Sequence, residues 1–286
     1  MKNIKNIEKS INGAIESLLS NLKKGHTENY LEYLKFCSNF YNYSPYNTML
    51  IYAQMPNATK VAGLRTWNKL GFKIKAKSES IKILAPQEYI YIEIDGERIY
   101  YNQMTPEQKK DKKNHKRGKL YKPVSVFDKS QCEKLKGNEE TTEFFYPLGN
   151  SEKEQYKSLK IKIENLGIEV IETNDTQGAE GISIGGTILI KKELDFNNKL
   201  LTLIHEVAHE FLDKGEGSDR EETNKNIREL RAESVAYIVG SYIGLESPFS
   251  RDYLLSFNAD ENNFKDNIFK IVATSTKIIN IINKNK

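Results

Sequence analysis

The segment LLTLIHEVAHEFL, residues 200–212, constrains this chain more than any other stretch of it. Leu200, Leu203, Ile204, Val207, Ala208, Phe211 and Leu212 recur at helical spacing, which predicts a largely buried helix over about 198–213. His205 and His209 lie four residues apart within it. Four residues turn an α-helix by about 400°, so both imidazoles project from one face, one turn apart. At that spacing two imidazole nitrogens can reach one zinc ion at about 2.0–2.1 Å. Glu206, beside His205, is placed to hydrogen-bond a water at such an ion and to act as general base. Burying two histidines and a glutamate in an apolar helix is costly unless the site employs them. The chain has four histidines, and half of them sit in this motif.

A catalytic zinc needs a third protein ligand and an open fourth position. A second helix, expected over about 221–244, carries RELRAESVAY, with Ala232, Val235, Ala236 and Ile238 marking it as mostly buried. Glu229 stands twenty residues beyond His209, and Glu233 is one turn further along the same face. The arrangement resembles the gluzincin metallopeptidases, in which HExxH is followed about twenty residues later by a ligating glutamate. That resemblance implies Glu229 as third ligand and Glu233 as the carboxylate that orients His205 from behind. The reverse assignment of the two glutamates stays open. Just upstream, GISIGGTILI (181–190) reads as a hairpin turning at Gly185-Gly186, a source of an edge strand for an extended peptide.

The rest of the chain has a different character. Residues 1–140 hold 25 Lys and Arg against 15 Asp and Glu, a balance of +10, whereas the remainder holds 18 against 24, a balance of −6. With 286 residues, this suggests two modules: 1–135, a linker at 136–150, and 151–286. Two isolated cysteines, Cys37 and Cys132, exclude a disulfide framework or a cysteine zinc site and make a cytoplasmic setting the default. No apolar run approaches the length of a bilayer span, and the first residues lack a signal peptide's apolar stretch, so no membrane partner is expected.

The first ~55 residues read as helix, broken at Ser44-Pro45. From Ile81 the period becomes two, and Asp95-Gly96 between alternating runs signals a hairpin in an antiparallel sheet. Residues 105–119 carry no apolar residue, so they are expected as an exposed basic loop. A helix over 152–165, a strand over 167–172 and a last helix over 262–283 complete an α+β reading.

Two blocks together resemble a known family. TLIHEVAHEFL followed by RELRAESVAYIVGSYIGL is similar to the zincin-like domain of ArdC-type antirestriction proteins and LtrC-like relatives, and more broadly to the ImmA/IrrE metallopeptidases. YSPYNTMLIYAQMPNATKVAGLRTWNKLGFKIKAKSESIKILAP, with PVSVFDKSQ after it, resembles the ArdC N-terminal domain, a module that binds single-stranded DNA. The resemblance spans about 25–135 and 165–258, and implies a zinc-containing antirestriction protein of a mobile element whose N-terminal domain binds single-stranded DNA. The composition points the same way. Lys69, Lys73, Lys75, Lys77 and Lys82 cluster near Trp67, with Tyr46 among the interleaved aromatics. Single-strand binding needs this combination of cations and π-faces. The competing reading is a zinc metalloendopeptidase acting on a regulatory protein substrate, with DNA binding only localising it.

Overall fold

The computed structural model describes residues 2–135, 151–213, 225–245 and 261–284. The expected linker at 136–150 and the expected helix start at 221–224 lie outside them. The chain is α+β, as anticipated, and no helix among the described residues is long and apolar enough to cross a membrane.

Three helices open the fold: α1 (Lys2–Lys23), α2 (Glu28–Asn39) and α3 (Pro45–Gln54). Ser44 starts α3 by accepting a hydrogen bond from the Asn47 amide, and Pro45 fits the first helical position, where no amide hydrogen is required. After β1 (Val61–Ala62), the short helix α4 (Leu64–Lys69) and β2 (Phe72–Ile74) comes a long two-stranded ribbon. Its strands β3 (Ile81–Ile94) and β5 (Lys116–Asp128) pair antiparallel from Ile81↔Val126 to Tyr91↔Lys116. Strand β4 (Glu97–Tyr100) folds back on the far end of β3 through Asp95-Gly96. Both turn residues have positive φ, 52° and 81°, which is what a two-residue turn needs to match strand twist. Strand β6 (Cys132–Lys134) pairs with β2.

The basic segment departs from the expected loop. Thr105 caps a short helix, α5 (Pro106–Lys110), reciprocally with Gln108, and residues 116–119 already belong to β5. Backbone pairing and a capping box need no apolar side chains, so hydropathy alone misses both.

The second half comprises α6 (Glu152–Glu164), a three-stranded sheet of β7 (Glu169–Thr173), β8 (Gly181–Ser183) and β9 (Thr187–Lys191), then α7 (Phe196–Asp213), α8 (Lys225–Ile243) and α9 (Glu261–Asn283). The sheet order is β7-β9-β8, with β7 parallel and β8 antiparallel to β9, so β8 is an edge.

The apolar core is not divided where the charge balance changes. Ile11 and Ile15 of α1, Leu34 of α2 and Leu50 of α3 share one buried cluster with Leu203 of α7, Val235 of α8 and Ile271 of α9. The buried Tyr30 hydroxyl bonds the Ser234 hydroxyl at 2.9 Å, tying α2 to α8. The opening helices thus complete the core of the C-terminal half. The ribbon joins this body through a smaller cluster that includes Phe36, Phe40, Ile51, Ile81, Ile83 and Val126. Side-chain amides of α3 serve as extra ladder partners there. Asn47 bonds both backbone groups of Leu84, and Gln54 both backbone groups of Lys82.

Candidate metal centre and its cavity

The apolar periodicity of α7 buries Leu200, Leu203, Ile204, Val207 and Ala208, and this turns His205 and His209 toward α8. Their Nε2 atoms lie 3.1 Å apart. Oε2 of Glu229, on α8, is 3.4 Å from the first and 3.5 Å from the second. Donor atoms at about 2.0–2.1 Å from a tetrahedral ion stand about 3.4 Å from one another. The observed triangle therefore fits one divalent cation with a fourth position free. Among the described residues these three form the group whose donor atoms converge closely enough to hold a metal.

A fourth residue completes the arrangement. Asp213, 3% exposed, accepts a hydrogen bond from His209 Nδ1 at 2.6 Å. A proton held on Nδ1 leaves the Nε2 lone pair for a metal, and the carboxylate makes that nitrogen a better donor. Glu233, expected to orient His205, lines the cavity one turn beyond Glu229. A carboxylate that does stand behind one of the two imidazoles is Asp213, behind His209. Its position four residues after His209 repeats the helical step between the two histidines, so the signal is present in the sequence.

Glu206 is 7% exposed. Burial raises its carboxyl above the usual glutamate value, against the opposing pull of His205 and His209. Burial works against the charge of Glu229 too, but hydrogen bonds from His205 and His209 outweigh it and hold that carboxyl well below the usual range. Burial likewise opposes a charged His209, yet its bonds to Asp213 and Glu229 push it up to about 9.

Strand β8 runs close over this helix because residue 181 has no side chain. A Cβ on Gly181 would come within 2.5 Å of the Thr202 methyl and 2.9 Å of Glu206 Cγ. The hairpin is pinned from below by Glu210, whose carboxylate accepts the Ser183 hydroxyl at 2.5 Å and the amides of Gly185 and Gly186 at 3.0 and 2.8 Å. Both glycines have φ above 80°, so their amides turn toward one point. Sequence reasoning finds the hairpin but misses Gly181 and Glu210 as its anchors, since neither contact is local. The resulting cavity, about 720 Å³, is lined on one side by Gly181, Ile182 and Ser183 and on the other by the metal-site residues, Arg228 and Glu233.

The residues singled out for DNA fare unevenly. Trp67 is 1% exposed; its Nε1 donates to the Phe127 carbonyl at 2.8 Å and its ring meets Phe72 edge-on. The expectation that it stacks on a base is corrected, because an indole used as a core strut offers no free face. Tyr46 is half-buried against Phe269 of α9. Lys69, Lys73, Lys75, Lys77 and Lys82 are exposed, with Lys75 and Lys82 bonded to Ser130 and Ser125.

Comparison with known proteins bears on the whole chain. Residues 1–158 match the family described as the N-terminal domain of anti-restriction factor ArdC. An uncharacterized protein of Bacillus anthracis is 26% identical over 94% of this chain, and the chain spans about half of that relative's length. The metal-free crystal structure of the antirestriction protein ArdC from plasmid R388 is similar in fold, with a TM-score of 0.56 at 14% identity over 95% of this chain and 96% of that one. The Mn(II)-bound structure of that protein aligns with a TM-score of 0.46 at 13% identity over 84% and 87% of the two chains. With the family match extending over more than half of its length, the chain belongs to the family defined by the N-terminal domain of the anti-restriction factor ArdC.

Proposed function

We propose that this protein is an antirestriction factor that binds single-stranded DNA through its N-terminal half and carries a divalent-metal peptidase site, with zinc as the metal, in its C-terminal half. The reading rests on membership of the ArdC family and, above all, on the triangle of His205, His209 and Glu229 beside the buried Glu206. Two imidazoles and one carboxylate suit zinc. A cation held there would polarise a peptide carbonyl and ease loss of a proton from water.

The chain's own residues supply the rest. Glu206 takes the proton of the attacking water on its carboxylate and returns it to the leaving amine. Its burial raises its proton affinity above that of an ordinary glutamate, which suits it to accept and return a proton. Asp213 keeps His209 in the tautomer that ligates through Nε2. The edge strand β8 offers backbone groups to an extended substrate along one wall of the cavity.

Two roles, protection of incoming DNA and cleavage of a regulatory protein, share these residues and separate by experiment. Glu206→Gln leaves the metal ligands intact and removes the proton acceptor. We expect that variant to retain zinc while losing peptide hydrolysis and protection of a plasmid entering a restricting host. Undiminished protection by a zinc-loaded Glu206→Gln protein would sink the peptidase-dependent reading.

A further inference from the structure

The β3–β4–β5 ribbon carries an aromatic face that the metal site does not use. Directly opposed residues of antiparallel strands lie on the same face, as do alternate residues along a strand. Tyr89 opposite Gly118, Tyr91 between Lys116 and Tyr100, and Glu93 opposite Arg98 therefore stand together. The ring of Tyr89 is 5.8 Å from that of Tyr91 and 5.4 Å from that of Tyr100. The Arg98 guanidinium sits 4.9 Å from the Tyr91 ring centre. Tyr89 rests on the backbone of β5, where a Cβ on Gly118 would collide with its ring. Glycine at that position lets the ring lie down on the strand.

The face is open where these rings are. Toward the root of the ribbon its residues Ile81, Ile83 and Val126 are buried against α2 and α3, but Tyr89 and Tyr91 are only half-buried and Tyr100 is 41% exposed. The opposite face does have a core at this level, with Ile92 buried, so the tyrosines are not the ribbon's packing layer. The ribbon is net cationic: residues 81–122 hold ten Lys and Arg against six acidic residues, and Lys116 and Lys122 share the tyrosines' face. Glu93 holds Lys116 and Arg98 beside the rings through ion pairs.

We propose that this face is the seat of single-stranded DNA, with unpaired bases stacking on Tyr91 and Tyr100 over the floor made by Tyr89, and phosphates meeting Arg98, Lys116 and Lys122. The inference rests on the reading that the N-terminal half binds single strands, and it moves the contact from Trp67 to the ribbon. Charge selects a polyanion, and clustered rings with exposed surface select one whose bases are free.

Fluorescence anisotropy of the full-length protein tests this with three labelled probes: an oligo-dT of about twelve nucleotides, an abasic strand of equal length, and a duplex. Tyr91→Ala and Tyr100→Ala are each expected to weaken oligo-dT binding about 5–100-fold and to leave abasic binding within about twofold, while the Phe variants bind as wild type. Equal oligo-dT binding by wild type and both alanine variants would overturn the platform and leave the single-strand reading standing. No binding of oligo-dT by wild type, or preference for the duplex, would overturn both. Should an alanine variant unfold, Glu93→Gln carries the test. It releases two cations toward the phosphates and is expected to tighten both single-stranded probes about 2–5-fold at low salt; no change would overturn the phosphate contacts.

Discussion

Along α7 Lys199, Glu206, Glu210 and Asp213 are each less than a tenth exposed, whereas on the ribbon Glu88, Glu93, Lys116 and Arg117 stand largely in solvent. Both regions pair their charges, yet the pairs differ in consequence. Buried groups lose hydration and are stable only where partners replace it, so each one determines its surroundings. Exposed pairs keep their water and contribute little to folding. The C-terminal half therefore holds a rigid constellation, while the ribbon presents adaptable charge on a frame set by backbone pairing.

Four substitutions bear on that contrast, in descending order of consequence. His205→Ala removes one of three convergent donors, and bound zinc after dialysis is expected to fall to background; full retention would refute the ligand set. Asp213→Asn keeps the ligands but removes the charge behind His209, and a competition titration is expected to read a zinc affinity lowered about 10–100-fold. Glu210→Ala leaves the Ser183 hydroxyl and the Gly185 and Gly186 amides without their acceptor, and denaturant unfolding is expected to show a loss of about 2–4 kcal/mol. An unchanged midpoint would mean that the hairpin holds its place without the buried anion. On the ribbon, Arg117→Ala removes a 3.9 Å pair with Glu88 in solvent and is expected to change stability by less than about 0.5 kcal/mol. A larger loss would erase the contrast.

A pH profile bears on the same point. Glu172 is partly buried, which raises its pKa, but the Lys199 ammonium at 2.5 Å outweighs burial and the net shift is downward. A folded pKa below the unfolded one means stability present above the unfolded carboxylate value of about 4.3 and lost as pH falls through the folded value. Unfolding measured from pH 7 to pH 3 should show that acid-side loss in wild type and a flatter profile in Lys199→Met. Identical profiles would remove this pair from the acid response.

Much of the site is legible in the sequence. His205, Glu206, His209 and Glu229 follow from a four-residue step on a buried helix and a family spacing, both of which are local or nearly so. Asp213 is equally local, but a carboxylate one turn beyond a histidine is common on solvated helix faces, and only its burial beneath His209 reveals its role. Trp67 departs from expectation for a physical reason: a tryptophan among lysines has the composition of a binding site and of a small core alike. Only the Phe127 carbonyl, sixty residues away in sequence, distinguishes the two.

Local chemistry is enough to specify the helix that carries His205, Glu206 and His209, the hairpins at Asp95-Gly96 and Gly185-Gly186, and the division of charge between the halves, because periodicity, turn residues and composition act over short stretches of sequence. It takes the folded chain to bring α1, α2 and α3 into the C-terminal core, to carry Glu229 to both imidazoles, to set Glu210 under the hairpin, and to gather three tyrosines on one open face. Each of these depends on strand register or on helices meeting across long stretches of chain, and such contacts exist only once the chain has closed on itself.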